Sequence, residues 1–250
     1  MPEGEHPESA VAERLRTESR SGARWLGESA RDWGRSIAIA FVLFLVIRAS
    51  VVEAFKIPTS SMEGTLLVGD FLLVNKAVYG PRIPGTDIPL PAFSQPDRGE
   101  VVVFHPPHEP DKNYVKRVVG VASDTLQMRD KRLYLNGAPV HEPYVRYADG
   151  RGDAVHPDME WQSHHLIASE LRDYQPTRDN WGPIVVPQER YFVLGDNRDN
   201  SEDSRYWGFV SRDEIRGRPW LVYYSFEPTT DGALPWLSTV RWARIGTIIR

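Results

Sequence analysis

The sequence predicts a mainly β fold, in which a β-domain with a smaller inserted subdomain follows one N-terminal transmembrane helix. Three observations support this fold class. An apolar run lies near the N-terminus, short runs rich in Val, Leu, Tyr and Phe follow it, and Gly, Pro, Asn or Asp separate those runs. With 250 residues, of which 41% are apolar, the chain can also bury a substantial core.

The composition narrows the classes of function. The net charge is −4 at pH 7, so the chain lacks the basic surface that nucleic-acid binding requires. There is no cysteine, which excludes disulfides, thiol catalysis and cysteine-based zinc sites. None of the seven histidines lies in a metal-binding motif. We therefore expect no metal, no cofactor and no nucleic-acid partner.

The first element is an uncharged run that could cross a lipid bilayer. Residues 1–35 are polar and charged and predict a flexible or loosely helical tail. Residues 36–47 carry no charge, and the apolar character resumes after Arg48, which gives 17 residues or about 25 Å of helix. We predict a single transmembrane anchor at 36–54. Arginines are concentrated before it, so the tail is predicted in the cytoplasm and the bulk of the chain outside the cell membrane.

Three other interpretations of this run are open. A buried core helix fits its length, but no amphipathic partner precedes it. An interfacial helix needs a polar face, which residues 36–47 lack. A cleaved leader fits the small residues on either side of Glu53, but the polar region ahead of the run is too long for a leader. The length and the flanks favour an uncleaved anchor.

From residue 55 onward the sequence has the periodicity of strands. Short β-type runs lie at 71–74, 100–104, 115–121, 133–135, 190–194 and 220–224. Asn136-Gly137 is a strong signal for a tight hairpin turn. Residues 137–188 are polar and irregular, which predicts a smaller inserted subdomain within a domain that covers 55–250.

Lys116 lies in one of the predicted strands and is a candidate general base. Tyr114, Lys116 and Val118 share one face of this strand, which is apolar apart from the amine. A lysine amine acts as a base near neutral pH only if its pKa is lowered by about three units, or about 4 kcal/mol, and burial does this. The strand pattern alone favours a simpler interpretation, in which the stem packs and the amine reaches water.

Three segments carry a resemblance to a known family. The first is Pro58-Thr59-Ser60-Ser61-Met62, the second is residues 114–120 around Lys116, and the third runs from Gly195 to Gly208. In this order behind an apolar run, they resemble the signature segments of the type I signal peptidases, which are membrane-anchored Ser/Lys proteases that remove signal peptides from exported proteins. The resemblance covers nearly all of residues 36–250. It implies an antiparallel β-sheet catalytic domain.

The resemblance also implies the reacting groups. Ser61 is the nucleophile, and Lys116 is the base that accepts its proton. The Thr59 hydroxyl and the backbone N–H of Ser61 form the oxyanion hole, where one donor is typically worth about 3 kcal/mol of barrier. The chain departs from the family pattern at Ser60, where glycine is usual, and at Gly64, where proline is common.

The third segment supplies the implied support for the dyad. Ser201 matches the serine whose hydroxyl holds the lysine amine in place, and Asp203 matches a carboxylate behind it. We expect Asp203 to pair with Arg205 or Arg117. A calcium loop is the alternative for this acidic segment, but the chain lacks the Gly and Glu that an EF-hand beginning at Asp199 would need.

The resemblance implies that the substrate is a signal peptide with small residues at −1 and −3, bound as an extended chain beside strands. The lipid bilayer is the second expected partner. A plain core role is the alternative for several of the candidate side chains. The candidate pocket residues are Phe55, Ile57, Pro58, Met62, Leu66, Tyr114 and Val115.

Two other functions are compatible with these residues. A Ser/Lys self-cleaving peptidase of the repressor type shares the dyad, but it would need a helix-turn-helix and a basic face, and residues 1–35 offer neither. The other is a membrane-tethered β-domain that binds peptides without cleaving them. The presence of Ser61, Lys116 and Ser201 argues against it.

Overall fold

The structure is a computed structural model that describes residues 33–44, 51–80, 88, 91–147, 152–167, 174–228, 236 and 239–250. The chain divides into two compact units, Met1–Ala49 and Ser50–Arg250. In the first unit, residues 33–44 form helix α1, whose side chains are exposed. Most of the tail predicted at 1–35 lies outside the described residues.

The membrane anchor predicted at 36–54 is described only in part. Its first residues lie in α1, and residues 45–50 lie outside the described residues. Its last three residues belong to strand β1 (Val52–Lys56), so the predicted span is wrong at that end, because these residues pair with a neighbouring strand. In the parts of the chain that the structure describes, no helix has both the length and the apolar character needed to cross a membrane.

The second unit is built from β-strands, and every pairing between the named strands is antiparallel. This confirms the mainly β, antiparallel fold class. After β1, the strands are β2 (Asp70–Asn75), β3 (Val101–Phe104), β4 (Tyr114–Gly120), β5 (Thr125–Arg129), β6 (Arg132–Leu135), β7 (Ala138–Pro139), β8 (Trp181–Val185), β9 (Arg190–Leu194), β10 (Val210–Ser211) and β11 (Ile215–Ser225).

The strands form two sheets. The larger has seven strands in the order β1-β2-β11-β3-β4-β9-β10, and the smaller has four in the order β7-β6-β5-β8. Strand β4, which carries Lys116, lies between β3 and β9 and has no free edge. All residues of β4 after Tyr114 are buried, which is the environment that the amine of Lys116 needs.

Each of the six predicted strand runs overlaps an observed strand: β2, β3, β4, β6, β9 or β11. The hairpin prediction is confirmed, because Asn136 and Gly137 both have positive φ and join β6 to β7 as a tight turn requires. The strands that were not predicted are short or carry residues that weaken the strand signal. Strand β8, for example, contains Gly182 and Pro183.

The smaller sheet starts earlier than the insert predicted at 137–188. Its strands β5 and β6 precede residue 137, and only β7 and β8 come from the predicted range. The polar, irregular composition indicated which part of the chain lies outside the larger sheet, but it did not show that β5 and β6 also belong to the smaller sheet. The division of the chain into tail, anchor, catalytic domain and insert stays a prediction.

Both faces of the larger sheet are covered. Val102 and Phe104 of β3 pack into one apolar cluster, whereas Val101 and Val103 pack into another on the opposite face. A third cluster joins the smaller sheet to β4 and β9 through side chains such as Phe192. The period of two along β3 therefore places alternate valines in different cores, as a strand buried on both faces requires.

The helical elements of the second unit are short. Helix α2 (Ser204–Trp207) has four residues and follows the third signature segment. Single 3₁₀ segments lie at Ala77–Tyr79, Pro157–His165, Arg198–Asn200, Arg212–Glu214 and Trp242–Arg244.

Candidate active site

Ser61 lies in the tight turn region that connects β1 to β2. The turn is held from inside by Met62 and Leu66, which are 1% and 0% exposed, and by the backbone N–H of Leu66, which donates to the carbonyl of Met62. Gly64 has a φ of 119°, which proline cannot adopt, and a Cβ there would lie 2.9 Å from the carbonyl oxygen of Tyr144. Glycine at position 64, where proline is common in the family, therefore allows the turn to lie close to the insert.

Lys116 lies opposite Ser61 and points into the same site. Its side chain is 4% exposed, and its Nζ lies 2.6 Å from Oγ of Ser61. The ring of Tyr114, two residues earlier on the same strand face, lies 5.6 Å from Nζ. The strand face predicted from the period of two therefore places an aromatic ring beside the amine.

Burial lowers the pKa of the Lys116 amine to about 8. The carboxylate of Asp203 opposes this shift and the guanidinium of Arg205 adds to it, but burial is the largest cause. A pKa near 8 leaves an appreciable fraction of the amine neutral at physiological pH, which is the form that can accept a proton from a hydroxyl.

Thr59 contributes a second hydroxyl beside the nucleophile. Its Oγ1 lies 3.4 Å from Oγ of Ser61, at the outer limit of a hydrogen bond. Asn197 holds the backbone of this segment, because its N–H donates to the carbonyl of Ser61 and its side-chain amide donates to the carbonyl of Ser60. These contacts fix the turn from the side of the third signature segment.

Ser201 is brought close to the dyad but not in the predicted way. Its hydroxyl is buried and forms no hydrogen bond with any residue that the structure describes, so the expected bond to the Lys116 amine is absent. The hydroxyl instead packs over Gly195, where a Cβ would lie 2.2 Å from it. The supporting role of Ser201 stays a prediction.

Asp203 pairs with Arg205, one of its two expected partners. The carboxylate accepts from Nε and Nη2 of Arg205 at 2.8 and 2.9 Å, and from the backbone N–H of Gly195 at 3.0 Å. Burial raises the pKa of Asp203, but the guanidinium of Arg205 outweighs it and holds the pKa below its usual range. The carboxylate therefore stays charged in the interior, where it ties α2 to the strand end at Gly195.

The other expected partner, Arg117, pairs with Asp196 instead. Its Nε and Nη2 donate to the two carboxylate oxygens at 2.9 and 2.7 Å. Arg117 follows Lys116 on β4, so its side chain leaves the opposite face of the sheet. It connects β4 directly to the third signature segment.

A further buried ion pair was missed by the sequence analysis. Arg198 is bound in a bidentate manner by Glu142 of the insert, at 2.6 and 3.0 Å, and the two side chains are 1% and 7% exposed. Residues 196–205 hold acidic and basic side chains close together, which was the signal for a packed ion-pair network. No feature of the sequence indicated that Glu142 would be one of its partners.

A cleft of about 760 Å³ includes both Ser61 and Lys116. Most of the predicted pocket residues line it: Phe55, Ile57, Pro58, Met62, Tyr114 and Val115. Leu66 does not, because its side chain is fully buried in the core cluster under the turn. Residues that line the cleft without having been predicted as pocket residues are Lys56, Ser60, Val68, Lys112, Asn113, Asn200 and Glu202.

Comparison with known proteins decides the family. The family model described as signal peptidase, peptidase S26, matches residues 30–224. The chain belongs to the peptidase S26 family. The resemblance inferred from the three signature segments is confirmed, and with it the enzyme class, a serine endopeptidase of this family.

Relatives within the S26 family are similar over most of the chain. Signal peptidase I of Pseudomonas aeruginosa is 39% identical over 231 residues, which cover 87% of this chain and 78% of that protein. Signal peptidase I of Aquifex aeolicus is 32% identical, over 76% of this chain and 81% of that protein. A solved signal peptidase I from Enterococcus faecalis is 28% identical over 50% of this chain and 97% of that chain, with a TM-score of 0.34.

Proposed function

We propose that this S26 peptidase removes N-terminal signal peptides from exported proteins, using Ser61 as the nucleophile and Lys116 as the base. The observation that carries the proposal is the 2.6 Å contact between Oγ of Ser61 and Nζ of Lys116, two buried side chains that both line the cleft. The relatives over most of the chain are named signal peptidase I, which supports the same substrate class.

The proposed reaction follows from the geometry of the site. Neutral Lys116 accepts the proton of Ser61 as Oγ attacks the carbonyl carbon of the bond to be cleaved. The Thr59 hydroxyl and the Ser61 N–H stabilise the negative oxygen of the tetrahedral intermediate. The Lys116 ammonium then protonates the leaving amine, and the mature chain departs. Water activated by the same amine hydrolyses the acyl-enzyme.

The cleft supports selection of small residues before the cleaved bond. Its walls near the dyad are apolar and come from β1 and β4, where an extended peptide can lie beside the strands. Ile57 and Met62 are almost fully buried, so they form a floor that leaves shallow rather than deep pockets. Small side chains at −1 and −3 fit such a surface.

We further propose that the chain is held on the outer face of the cell membrane by one helix near its N-terminus. The apolar residues from 36 onward support this, and the overlap with β1 limits the helix to residues before Val52. The fluorescence of labels placed on either side of this segment in lipid vesicles would test whether it crosses the bilayer.

A cleavage assay in detergent tests the proposed activity. The substrate is a pre-protein with Ala at −1 and −3, and the products are identified by mass. Wild type should cut after the −1 residue, whereas Ser61→Ala and Lys116→Ala should show no cleavage. Ser94→Ala and Lys76→Ala, which alter a serine and a lysine outside the cleft, are the matched controls and should retain activity.

The same assay separates this function from its rivals. An inert peptide-binding domain would bind the pre-protein without producing the mature form. Cleavage that survives Lys116→Ala, or that stops in the presence of a metal chelator, would refute the assignment of the dyad.

A further inference from the structure

A second cavity adjoins the cleft that contains Ser61. It has a volume of about 540 Å³ and lies between the third signature segment and the insert. Asn200 and Glu202 line both the cleft and this cavity. A peptide that passes over Ser61 and continues beyond these two residues therefore enters the second cavity.

Among the described residues that line it, the cavity has more acidic than basic side chains. Arg178 at its wall is paired with Asp179, and Asp199 is paired with Lys131, so these four charges cancel. Two carboxylates remain, Asp158 and Glu202, whose side chains are 72% and 66% exposed.

In the described part of the chain, the base closest to each of these two carboxylates is a histidine. His156 lies 3.7 Å from Asp158, and His108 lies 3.7 Å from Glu202. The cavity therefore favours cationic over anionic side chains.

The two ends of the path differ in chemistry. The part of the cleft formed by β1 and β4 is apolar, which suits the small residues before the bond, whereas the end at Asn200 and Glu202 is polar. We infer that the second cavity binds the first residues of the released mature chain and that Glu202 and Asp158 make it select basic over acidic side chains there. This inference rests on the proposed function and names a further specificity of the same site.

The expected effect is modest because both carboxylates are largely exposed. Exposed ion pairs contribute little and are screened by salt, so we expect about fivefold selectivity at low ionic strength and a ratio near one at high salt. A ratio of rates on two substrates measures this selectivity independently of any general loss of activity in a variant.

The test uses the full chain in detergent at pH 8 with two quenched peptides. Both have Ala at −1 and −3, and they differ only in carrying Lys-Lys or Glu-Glu after the cleaved bond. Wild type should have a kcat/KM about fivefold higher for the Lys-Lys peptide, and Glu202→Gln and Asp158→Asn should each lower this ratio about twofold. Glu189→Gln, at an exposed carboxylate that lines a separate cavity, is the control and should leave the ratio unchanged.

The outcomes distinguish this inference from the function on which it rests. If wild type cuts both peptides equally well at low salt, the proposed function stands and the inference fails. The inference also fails if Glu189→Gln lowers the ratio as much as Glu202→Gln does. In a second pair of peptides, which carry the two charges before the cleaved bond, the ratio of rates should not change in the variants. A change there would show that the cavity binds the other side of the substrate, and the inference would fail. If wild type cuts no peptide at all, the proposed function itself is wrong.

Discussion

Gly195 lies so close to Ser201 that a methyl group on its α-carbon would be 2.2 Å from the serine hydroxyl. The same methyl group would lie 2.5 Å from the carbonyl oxygen of Ser61. Position 195 is thus where the first and third signature segments meet, and only a residue without a side chain allows them to approach to this distance. The φ of Gly195 is not positive, so the requirement is one of space rather than of backbone conformation.

Gly195→Ala should therefore displace the nucleophile. We expect kcat to fall by about a hundredfold or more, because displacements of about 1 Å in a reacting group have this effect, and we expect a loss of about 1–3 kcal/mol in the free energy of unfolding. Steady-state kinetics and urea unfolding measure the two effects. Gly34→Ala is the matched control for the change from glycine to alanine, because no atom lies within 4 Å of the added methyl group and the φ of Gly34 is not positive. Activity of Gly195→Ala within about threefold of wild type would contradict the close approach.

The pH dependence of cleavage should report the neutral form of Lys116. Because burial lowers its pKa to about 8, kcat/KM should rise with pH through a midpoint near 8 and level off above it. At pH 6 the rate should be about a hundredfold below the plateau, since the neutral fraction falls tenfold per pH unit. A flat profile between pH 6 and 9, or a midpoint near 10, would show that the amine is not the base.

The same pKa shift makes a prediction about stability. The pKa of Lys116 is lower in the folded state than in the unfolded state, so the unfolded state binds more protons between about pH 8 and 10.5 and the fold gains stability as pH rises through this window. Lys116→Met removes the cost of the buried charge, and it should raise the free energy of unfolding by up to about 3 kcal/mol at pH 6. Urea unfolding of both proteins at pH 6, 8 and 10 should show this difference shrinking at the highest pH. A difference that is constant with pH would contradict the shift.

Thr59 should act only after the tetrahedral intermediate begins to form. Thr59→Val keeps the shape of the side chain and removes the hydroxyl beside Ser61, so we expect kcat to fall about 10²- to 10³-fold with little change in KM. Thr59→Ser keeps a hydroxyl and should retain most of the activity. Equal losses of kcat in the two variants would exclude an oxyanion role.

The buried pair of Glu142 and Arg198 should contribute to stability only as a pair. Glu142→Gln leaves a buried guanidinium without its counter-charge, and it should cost about 3–5 kcal/mol, whereas Glu142→Gln combined with Arg198→Met should recover most of that loss. Glu109→Gln, at the more exposed pair with Lys112, should cost less than about 1 kcal/mol. Urea unfolding compares the variants, and equal costs at the two pairs would contradict the effect of burial.

Much of the fold was predictable because its signals are local. The runs that became β3, β4 and β9 are rich in Val and Phe over four to seven residues, and the Asn136-Gly137 turn fixes its own backbone. Strand β5 was missed because its two buried residues, Leu126 and Met128, alternate with polar ones in a short segment. Its place in the smaller sheet depends on pairing with β8, which lies more than fifty residues later.

The candidate site was predictable to the extent that it consists of contiguous segments. The dyad of Ser61 and Lys116 was inferred from two such segments, and the distance between the atoms agrees with that inference. The sequence could not show whether Asp203 pairs with Arg205 or with Arg117. Arg205 belongs to the third segment, and Arg117 reaches that segment from the face of β4 opposite to Lys116, where it pairs with Asp196. The missing bond at Ser201 depends on side-chain packing over Gly195, which has no sequence signal.

By itself the sequence determined the chemistry that is available, which is an alcohol, an amine on an apolar strand face, and a segment rich in acidic and basic residues. The tertiary structure decided which of these groups meet. Packing around β4 buries the Lys116 side chain and lowers the pKa of its amine, and the turn between the paired strands β1 and β2 brings Ser61 to it. Burial and long-range pairing set these properties, and neither is encoded within a single stretch of the chain.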